Sequence, residues 1–302
     1  MTVNIALIGC GYWGGRAWYP TIRKSKYGLK YLVERGTPKI DKVADDVIWI
    51  KNIKELPDDV THAVVATQAE SHLEITEFLH KKRNIPLKNI LVEKPCGTNR
   101  AEAIELMGVT PGFVFLYDPK YQYIKSALDI VGEPFLFRSV RASMGPKIRT
   151  DVCIIEDYMY HDLYLYLDLF GNNILNILAD GCHRFLGYPI SEASVTIQSR
   201  VLTANMFSSW WYPTKERRIV IVGTAGSFIY EENKLTHYAS YYGKWPDYHL
   251  HQGTEAEITV KTDKSNLELQ LEAFVEDKLP FARALMPATW KLIEKIKEKL
   301  EE

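Results

Sequence analysis

Three small groups of residues in this sequence have the types and spacing for chemistry. Lys94 follows the apolar run Ile90-Leu91-Val92 and the carboxylate Glu93, and it precedes Pro95. An ammonium beside a reacting oxygen stabilises negative charge as it develops, a contribution of up to about 3–4 kcal/mol in a water-poor site. Asp157 and His161 stand four residues apart, a spacing that shares one face of a helix. A carboxylate there can orient the imidazole or raise its pKa, and histidine exchanges protons near neutral pH. Gly9-x-Gly11-x-x-Gly14 follows an apolar run, and such glycines permit a tight turn and close approach of backbone N–H groups to a pyrophosphate. Each group also has an ordinary reading. Lys94 alone suits a strand-end side chain reaching solvent, His161 suits a histidine satisfied by Asp157 near a helix cap, and a glycine-rich turn can be purely steric.

These residues need elements to place them. The first hundred or so residues alternate short apolar runs with longer amphipathic ones, the pattern of β-α units on a parallel sheet. Strands are expected at 4–8, 29–33, 47–50, 62–66, 89–92 and 113–117, with helices such as 71–80 and 100–107 among them. Near-continuous hydrophobicity in the strands implies burial on both faces. After residue 118 the texture changes to alternating segments, "PFLFRSVRAS", "SVTIQSRVLTANMFSSWW", "RRIVIVGTAGSFIY" and "EAEITVKT", which read as antiparallel strands with one solvated face. A helix over 156–171, closed by Gly171, interrupts them, and a charged helix ends the chain. The fold class read from this is α/β: β-α units on a parallel sheet over 1–118, then longer, mostly antiparallel strands over 119–302.

With 37 basic and 38 acidic side chains the formal net charge is -1, and no like-charge run suggests a nucleic-acid partner. A small molecule is the expected partner. Cys10, Cys96, Cys153 and Cys182 lie far apart without metal-ligand or CxxC spacing, which suits free thiols in a reducing, cytoplasmic setting. No signal core and no membrane-spanning run are evident. No metal site is expected: His249 and His251 in "DYHLHQ" form an HxH pair with no third ligand nearby, and a loop feature is the reading preferred.

The glycine motif gains weight from its surroundings. It lies directly after a strand and before a helix, and Glu34 ends the second strand at about the distance expected of the acid that bonds an adenine ribose. That carboxylate favours NAD. Arg35 beside it could accept the 2′-phosphate of NADP or stack on adenine, so both cofactors stay open. Thr67, Gln68 and His72 follow the fourth strand at its carboxyl end, where ligands of open α/β sheets gather. For His72 the plain alternative is a surface histidine at a helix start.

In order along the chain, the glycine loop, "VVATQAESH" (64–72), "VEKP" (92–95), Asp157-x-x-x-His161 and "VGTAGSF" (222–228) resemble the glucose-fructose oxidoreductase, inositol dehydrogenase and rhizopine catabolism family of NAD(P)-dependent oxidoreductases. The resemblance implies a Rossmann dinucleotide-binding domain (1–118) followed by a substrate-binding and oligomerisation α+β domain with an open, mostly antiparallel sheet (119–302), and hydride transfer between a nicotinamide and a sugar, sugar derivative or cyclic polyol. It implies that Lys94 binds the reacting oxygen, Asp157 supports the site and His161 exchanges the proton, with a cis Lys94-Pro95 bond. It places Gly9, Gly11, Tyr12, Trp13, Gly14, Glu34, Arg35, Thr67, Gln68, His72, Glu93 and Lys94 at the cofactor, and implies a dimer or tetramer. Departures cluster in the second half. Glu156, Tyr158, Met159 and Tyr160 crowd a pair that the family usually flanks with glycines, Tyr164 replaces an acid, and Lys120 stands for an arginine. Lys120 and Tyr160 are the substrate-contact candidates, while the packing role is preferred for "SSWWYP" (208–213). The crowding leaves two alternatives: a non-catalytic nucleotide-sensing regulator or scaffold on this fold, or a reductase of C=N or C=C bonds.

Overall fold

The computed structural model describes residues 2–145, 150–184, 186–242, 250–278 and 282–301. The chain begins with β1 (Ile5–Ile8), buried throughout, and turns through a π-wound segment, Gly14–Trp18, into α1 (Tyr19–Lys24). There follow β2 (Leu29–Val33), β3 (Ile48–Ile50), β4 (His62–Val65), α2 (His72–Arg83), β5 (Ile90–Glu93), α3 (Arg100–Glu105) and β6 (Thr110–Gly112). The six strands are parallel in the order β3-β2-β1-β4-β5-β6. That order reverses at β1, the switch point outside whose carboxyl end such sheets bind ligands. The Gly9–Gly14 turn therefore sits centrally. Glu34, after β2, lies to one side of it; Thr67 and Lys94, after β4 and β5, lie to the other.

The sixth strand lies three residues earlier than the hydrophobic run suggests. Pairing with β5 uses Thr110 to Gly112, and the Phe113 N–H then turns back to the Pro111 carbonyl, so Val114–Tyr117 form a 3-10 turn. Burial of Phe113, Leu116 and Tyr117 explains the apolar run without a strand.

A second sheet forms around α4 (Pro119–Ser126) and α5 (Tyr160–Phe170). Its strands are β7 (Pro134–Met144), β8 (Ile174–Cys182), β9 (Glu192–Ser199), β10 (Thr203–Ser209), β11 (Trp211–Gly223), β12 (Gly226–Glu231), β13 (Lys234–Tyr242) and β14 (Leu250–Glu257). Their order is β14-β13-β12-β11-β7-β10-β9-β8, antiparallel except for β7 with β10. Alternation selects one face: Phe137, Ser139 and Arg141 of β7 and Ile219 and Ile221 of β11 are buried. Helix α5 covers that face, with Phe137 edge-on to Tyr166 and Phe170 at centroid distances of 5.9 Å. Gly171 caps the helix with φ of 71° and its N–H on the Leu167 carbonyl. "EAEITVKT" is strand only to Glu257, and β8 and β13 carry no alternation clear enough to be read from sequence. His251 falls in β14; His249 lies outside the described residues.

The chain then returns. Helix α6 (Asn266–Val275) opens on a capping box between Ser265 and Glu268, and α7 (Ala282–Glu301) ends the fold. Leu267, Leu271 and Phe274 join one cluster with Ile5, Leu7, Trp18, Ile22, Leu32, Val64 and Leu91. The compact units are accordingly 1–117 with 263–290, and 118–262 with 291–302. The division into 1–118 and 119–302 read from the sequence is corrected here: texture marks where the chain leaves the first core, but α6 supplies apolar side chains that this core lacks without it.

Candidate functional site

The loop after β1 is built to bring backbone close to a ligand. Gly9 has φ of +92°, and a Cβ there would meet the Ala66 carbonyl oxygen at 2.8 Å; one on Gly14 would meet the Gly9 oxygen at 2.2 Å. At Gly11 a Cβ would meet nothing within 4 Å, so the loop is tight on its protein side and open above Gly11. A pyrophosphate fits that open face, next to the start of a helix. On the β2 side, Glu34 is fixed by two backbone donors, Cys10 N–H to Oε2 at 2.7 Å and Gly36 N–H to Oε1 at 3.0 Å. Burial, with the Glu34 charge beside it, pushes the Cys10 thiol up to about 11. Arg35 is exposed next to it.

On the β5 side the carboxylate of Glu93 turns inward. Its Oε1 accepts the indole N–H of Trp13 at 2.8 Å and of Trp18 at 2.6 Å, and its Oε2 accepts the Lys94 N–H at 3.1 Å. Two residues five apart lie about 140° from each other round an α-helix. The π-wound turn over Gly14–Trp18 brings them nearly in line, which is how two indoles reach one oxygen. Burial pushes the Glu93 carboxyl above its ordinary range, opposed first by the two indole donors and then by Lys94. The Glu93 side chain, expected at the cofactor, makes these contacts inside the domain. The Lys94-Pro95 bond is cis, and Lys94 is half-buried at the strand's carboxyl end.

His72 is also corrected. It is fully buried at the start of α2, with Nδ1 3.1 Å from the Pro95 carbonyl and Nε2 3.1 Å from that of Thr67. It is not a surface histidine; it ties the turn after β4 to the turn that carries Lys94. The Thr67 hydroxyl accepts from Ser71 Oγ at 2.8 Å, and Gln68 is exposed. Tyr12 and Trp13 expose 58% and 45% of their surface, with the Arg16 guanidinium 4.6 Å over the Tyr12 ring. Neither is consumed by the core.

In the second unit Asp157 belongs to a π-wound turn, Ile155–Met159, that leads into α5; the sequence implies a uniform helix there. Asp157 is buried and its Oδ2 accepts the Trp210 indole N–H at 3.2 Å. His161 Nδ1 lies 3.1 Å from the Tyr164 hydroxyl, so Tyr164 fills the place of the expected acid with a hydrogen bond of its own. The crowding residues are structural. Glu156 accepts from the Cys153 N–H at 2.9 Å and from Lys297 at 3.0 Å, and the Tyr158 hydroxyl pairs with Ser143 at 2.8 Å. Tyr160, a substrate candidate in the sequence, is fully buried with its ring edge-on to Tyr164 at 6.3 Å; it packs the helix. Lys120 is half-buried in the first turn of α4, where Asp118 caps its N–H.

Three supporting residues escape sequence reading. Asp162, next to His161, forms a buried pair with Arg141 at 2.7 Å, pinning α5 to β7. Trp210 anchors Asp157. A buried tryptophan needs an acceptor and a buried arginine a carboxylate, but nothing in one sequence says which. Among the described residues no group of His, Cys, Asp or Glu is placed to hold a metal ion, and no helix is long and apolar enough to cross a membrane.

Residues 3–109 match the model of the Gfo/Idh/MocA family, described as an oxidoreductase family with an NAD-binding Rossmann fold. Over these residues the chain is similar to this oxidoreductase family. A search of curated proteins returns no match. Among solved structures, the chain is similar to a UDP-N-acetylglucosamine 3-dehydrogenase from Acidithiobacillus ferrooxidans, with 17% identity, TM-score 0.80 and coverage of 100% of this chain and 98% of that one. It is also similar to a 3-ketoreductase from Actinomadura kijaniata solved with NADP and TDP-benzene, at 14% identity, TM-score 0.81 and coverage of 99% and 98%. A third is an oxidoreductase from Agrobacterium radiobacter solved with NAD+, L-tartaric acid and magnesium, at 17% identity, TM-score 0.74 and coverage of 100% and 97%. At these identities the likeness to the solved structures is one of fold, and it extends over the whole chain.

Proposed function

We propose that this protein is an NAD(P)-dependent oxidoreductase that acts on a sugar, a sugar derivative or a cyclic polyol. The observation that carries the reading is the family-matched Rossmann sheet whose glycine turn is open above Gly11 and whose β5 delivers Lys94 at its carboxyl end. A bound nicotinamide supplies hydride acceptance or donation. The protein supplies the rest. The Lys94 ammonium favours alkoxide-like charge on the reacting oxygen, which lowers the barrier to proton loss. His161 takes or returns the proton, and we assign this to Nε2, opposite the nitrogen turned to Tyr164. Asp157, held by Trp210, supports the local field in favour of an imidazolium.

The similarity in fold to a UDP-N-acetylglucosamine 3-dehydrogenase and to a 3-ketoreductase solved with TDP-benzene supports the substrate class. NAD is the cofactor we favour: Glu34 is already fixed where a 2′-phosphate would meet its charge, and calorimetry should give NADH at least about a tenfold advantage over NADPH. A homo-oligomer in the cytoplasm is the setting inferred, in keeping with four cysteines present as thiols. The test of function is turnover on a panel of nucleotide sugars, free sugars, inositols and imines. Activity lost in Lys94→Ala and His161→Ala, with NAD+ still bound, supports it; cofactor binding with no turnover on any of them sinks it in favour of a nucleotide sensor.

A further inference from the structure

In the second unit two guanidiniums stand side by side near the start of α5, and only one of them is neutralised at close range. Arg217 lies opposite Arg141 in the β11–β7 register, so both side chains leave the sheet on its inner face. Arg141 is paired at 2.7 Å with Asp162, the residue after His161. Among the described residues the one ion pair of Arg217 is with Glu232 at 3.7 Å, beyond hydrogen-bond reach, and Glu232 is held more closely by Lys215. The Arg217 side chain keeps 41% of its surface exposed. Burial of the rest, and next the Arg141 charge, hold its guanidinium below the ordinary range, against Glu232, Tyr158 and Asp162. The strand reaches this position through a break in register: Trp211 pairs with Met144, but Glu216 pairs with Ala142. A bulge of this kind re-aims side chains, and Arg217 is the next residue along.

We infer that Arg217 receives an anionic group of the substrate, a phosphate or a carboxylate, so that the sugar derivative handled by this protein is an anion. This rests on the oxidoreductase reading above and narrows its substrate class. A guanidinium fork pairs with either oxyanion through two parallel hydrogen bonds, and Arg217 has its fork uncommitted where Arg141 does not. The anion binds on the sheet face that α5 covers, beside the helix that carries His161. It therefore holds the substrate by a substituent and leaves the reacting carbon to the histidine.

The probes are UDP and D-glucuronate, one carrying phosphate and the other carboxylate, with D-glucose as the neutral control. They are titrated by calorimetry into the full chain saturated with NADH, which keeps the glycine turn from taking the phosphate. One anion should bind at least about tenfold more tightly than glucose, and Arg217→Gln should lower that affinity about tenfold or more, with Arg217→Lys in between. Which of the two probes depends on Arg217 identifies the source of the anion. Urea unfolding of Arg217→Gln should keep the wild-type midpoint, because an exposed pair at 3.7 Å contributes little, so a lost affinity is not a lost fold. An Arg217→Gln protein that binds both anions as the wild type does, or a wild type that binds neither, overturns the inference. Turnover of neutral sugars or inositols at equal rates in wild type and Arg217→Gln also overturns it and leaves the oxidoreductase reading standing. Anion binding that depends on Arg217, with no nicotinamide turnover on any substrate, overturns the oxidoreductase reading alone.

Discussion

The glycine turn after β1, tied through Trp13 and Glu93 to the strand end that carries Lys94, and the turn that precedes His161 use the same device to different ends. In each, a buried carboxylate accepts an indole N–H, Glu93 from Trp13 and Trp18 and Asp157 from Trp210. In each, a π-wound segment starts the adjoining helix and sets which side chains align. Yet the first turn owes its shape to glycines and backbone contacts, and the second to large side chains packed against a sheet. A site made of backbone geometry restricts residue types narrowly, whereas one made of packing accepts many solutions. That is why the first keeps a readable motif while the second departs from its family pattern.

Several substitutions would break or sharpen this contrast. The largest effect is expected from Lys94→Ala, which should lower kcat on the order of 10²–10³-fold with little change in NAD+ affinity, read by steady-state kinetics once a substrate is found. If packing defines the second region, removing one partner of its buried pair should be severe. Arg141→Ala or Asp162→Ala should cost about 3–5 kcal/mol in urea unfolding, whereas Arg141→Met with Asp162→Leu should recover most of it. In the first region the glycines should separate. Gly14→Ala, whose Cβ has the Gly9 oxygen at 2.2 Å, should destabilise the fold, while Gly11→Ala should leave stability unchanged and weaken NAD+ binding. A Gly11→Ala protein that binds NAD+ normally would remove the pyrophosphate from that face.

Trp210→Phe should be milder. It leaves Asp157 with one donor fewer, at about 1–3 kcal/mol, and should shift the acid limb of the pH profile for turnover; a pure stability loss with an unmoved profile would make Trp210 structural only. The smallest effect concerns thiols. Burial holds Cys10 at about 11 and Cys153 at about 12, so mass spectrometry after iodoacetamide at pH 8 should find half-buried Cys182 modified well before either. Because folding raises the Cys10 pKa, its stabilising contribution is present below the ordinary thiol range and is lost as pH rises through about 11.

The sequence makes the parallel sheet legible because doubly buried strands leave unbroken apolar runs, and it makes Lys94, the glycines and Glu34 legible because their spacing is dictated by strand and turn geometry. It misplaces β6 because burial in a turn and burial in a strand look alike in hydropathy. It does not reveal that Glu93 and His72 hold protein groups, two indoles and a backbone N–H for the first and two carbonyls for the second. The Arg141–Asp162 pair stays hidden because its members meet across a sheet and a helix, at a separation that no local period encodes.

The core cluster shared by Ile5, Leu7 and Trp18 with Leu267, Leu271 and Phe274 has a consequence for the order of assembly. A domain that begins at the amino terminus would ordinarily fold while the remainder is still being synthesised. Here the last side chains of that core emerge only after the whole second sheet has been translated. Until α6 arrives, the nascent glycine turn rests on an apolar surface that water can reach, and the second unit has all its strands before the first has a closed core. In this chain the sheet that is translated second is complete before the core that is begun first.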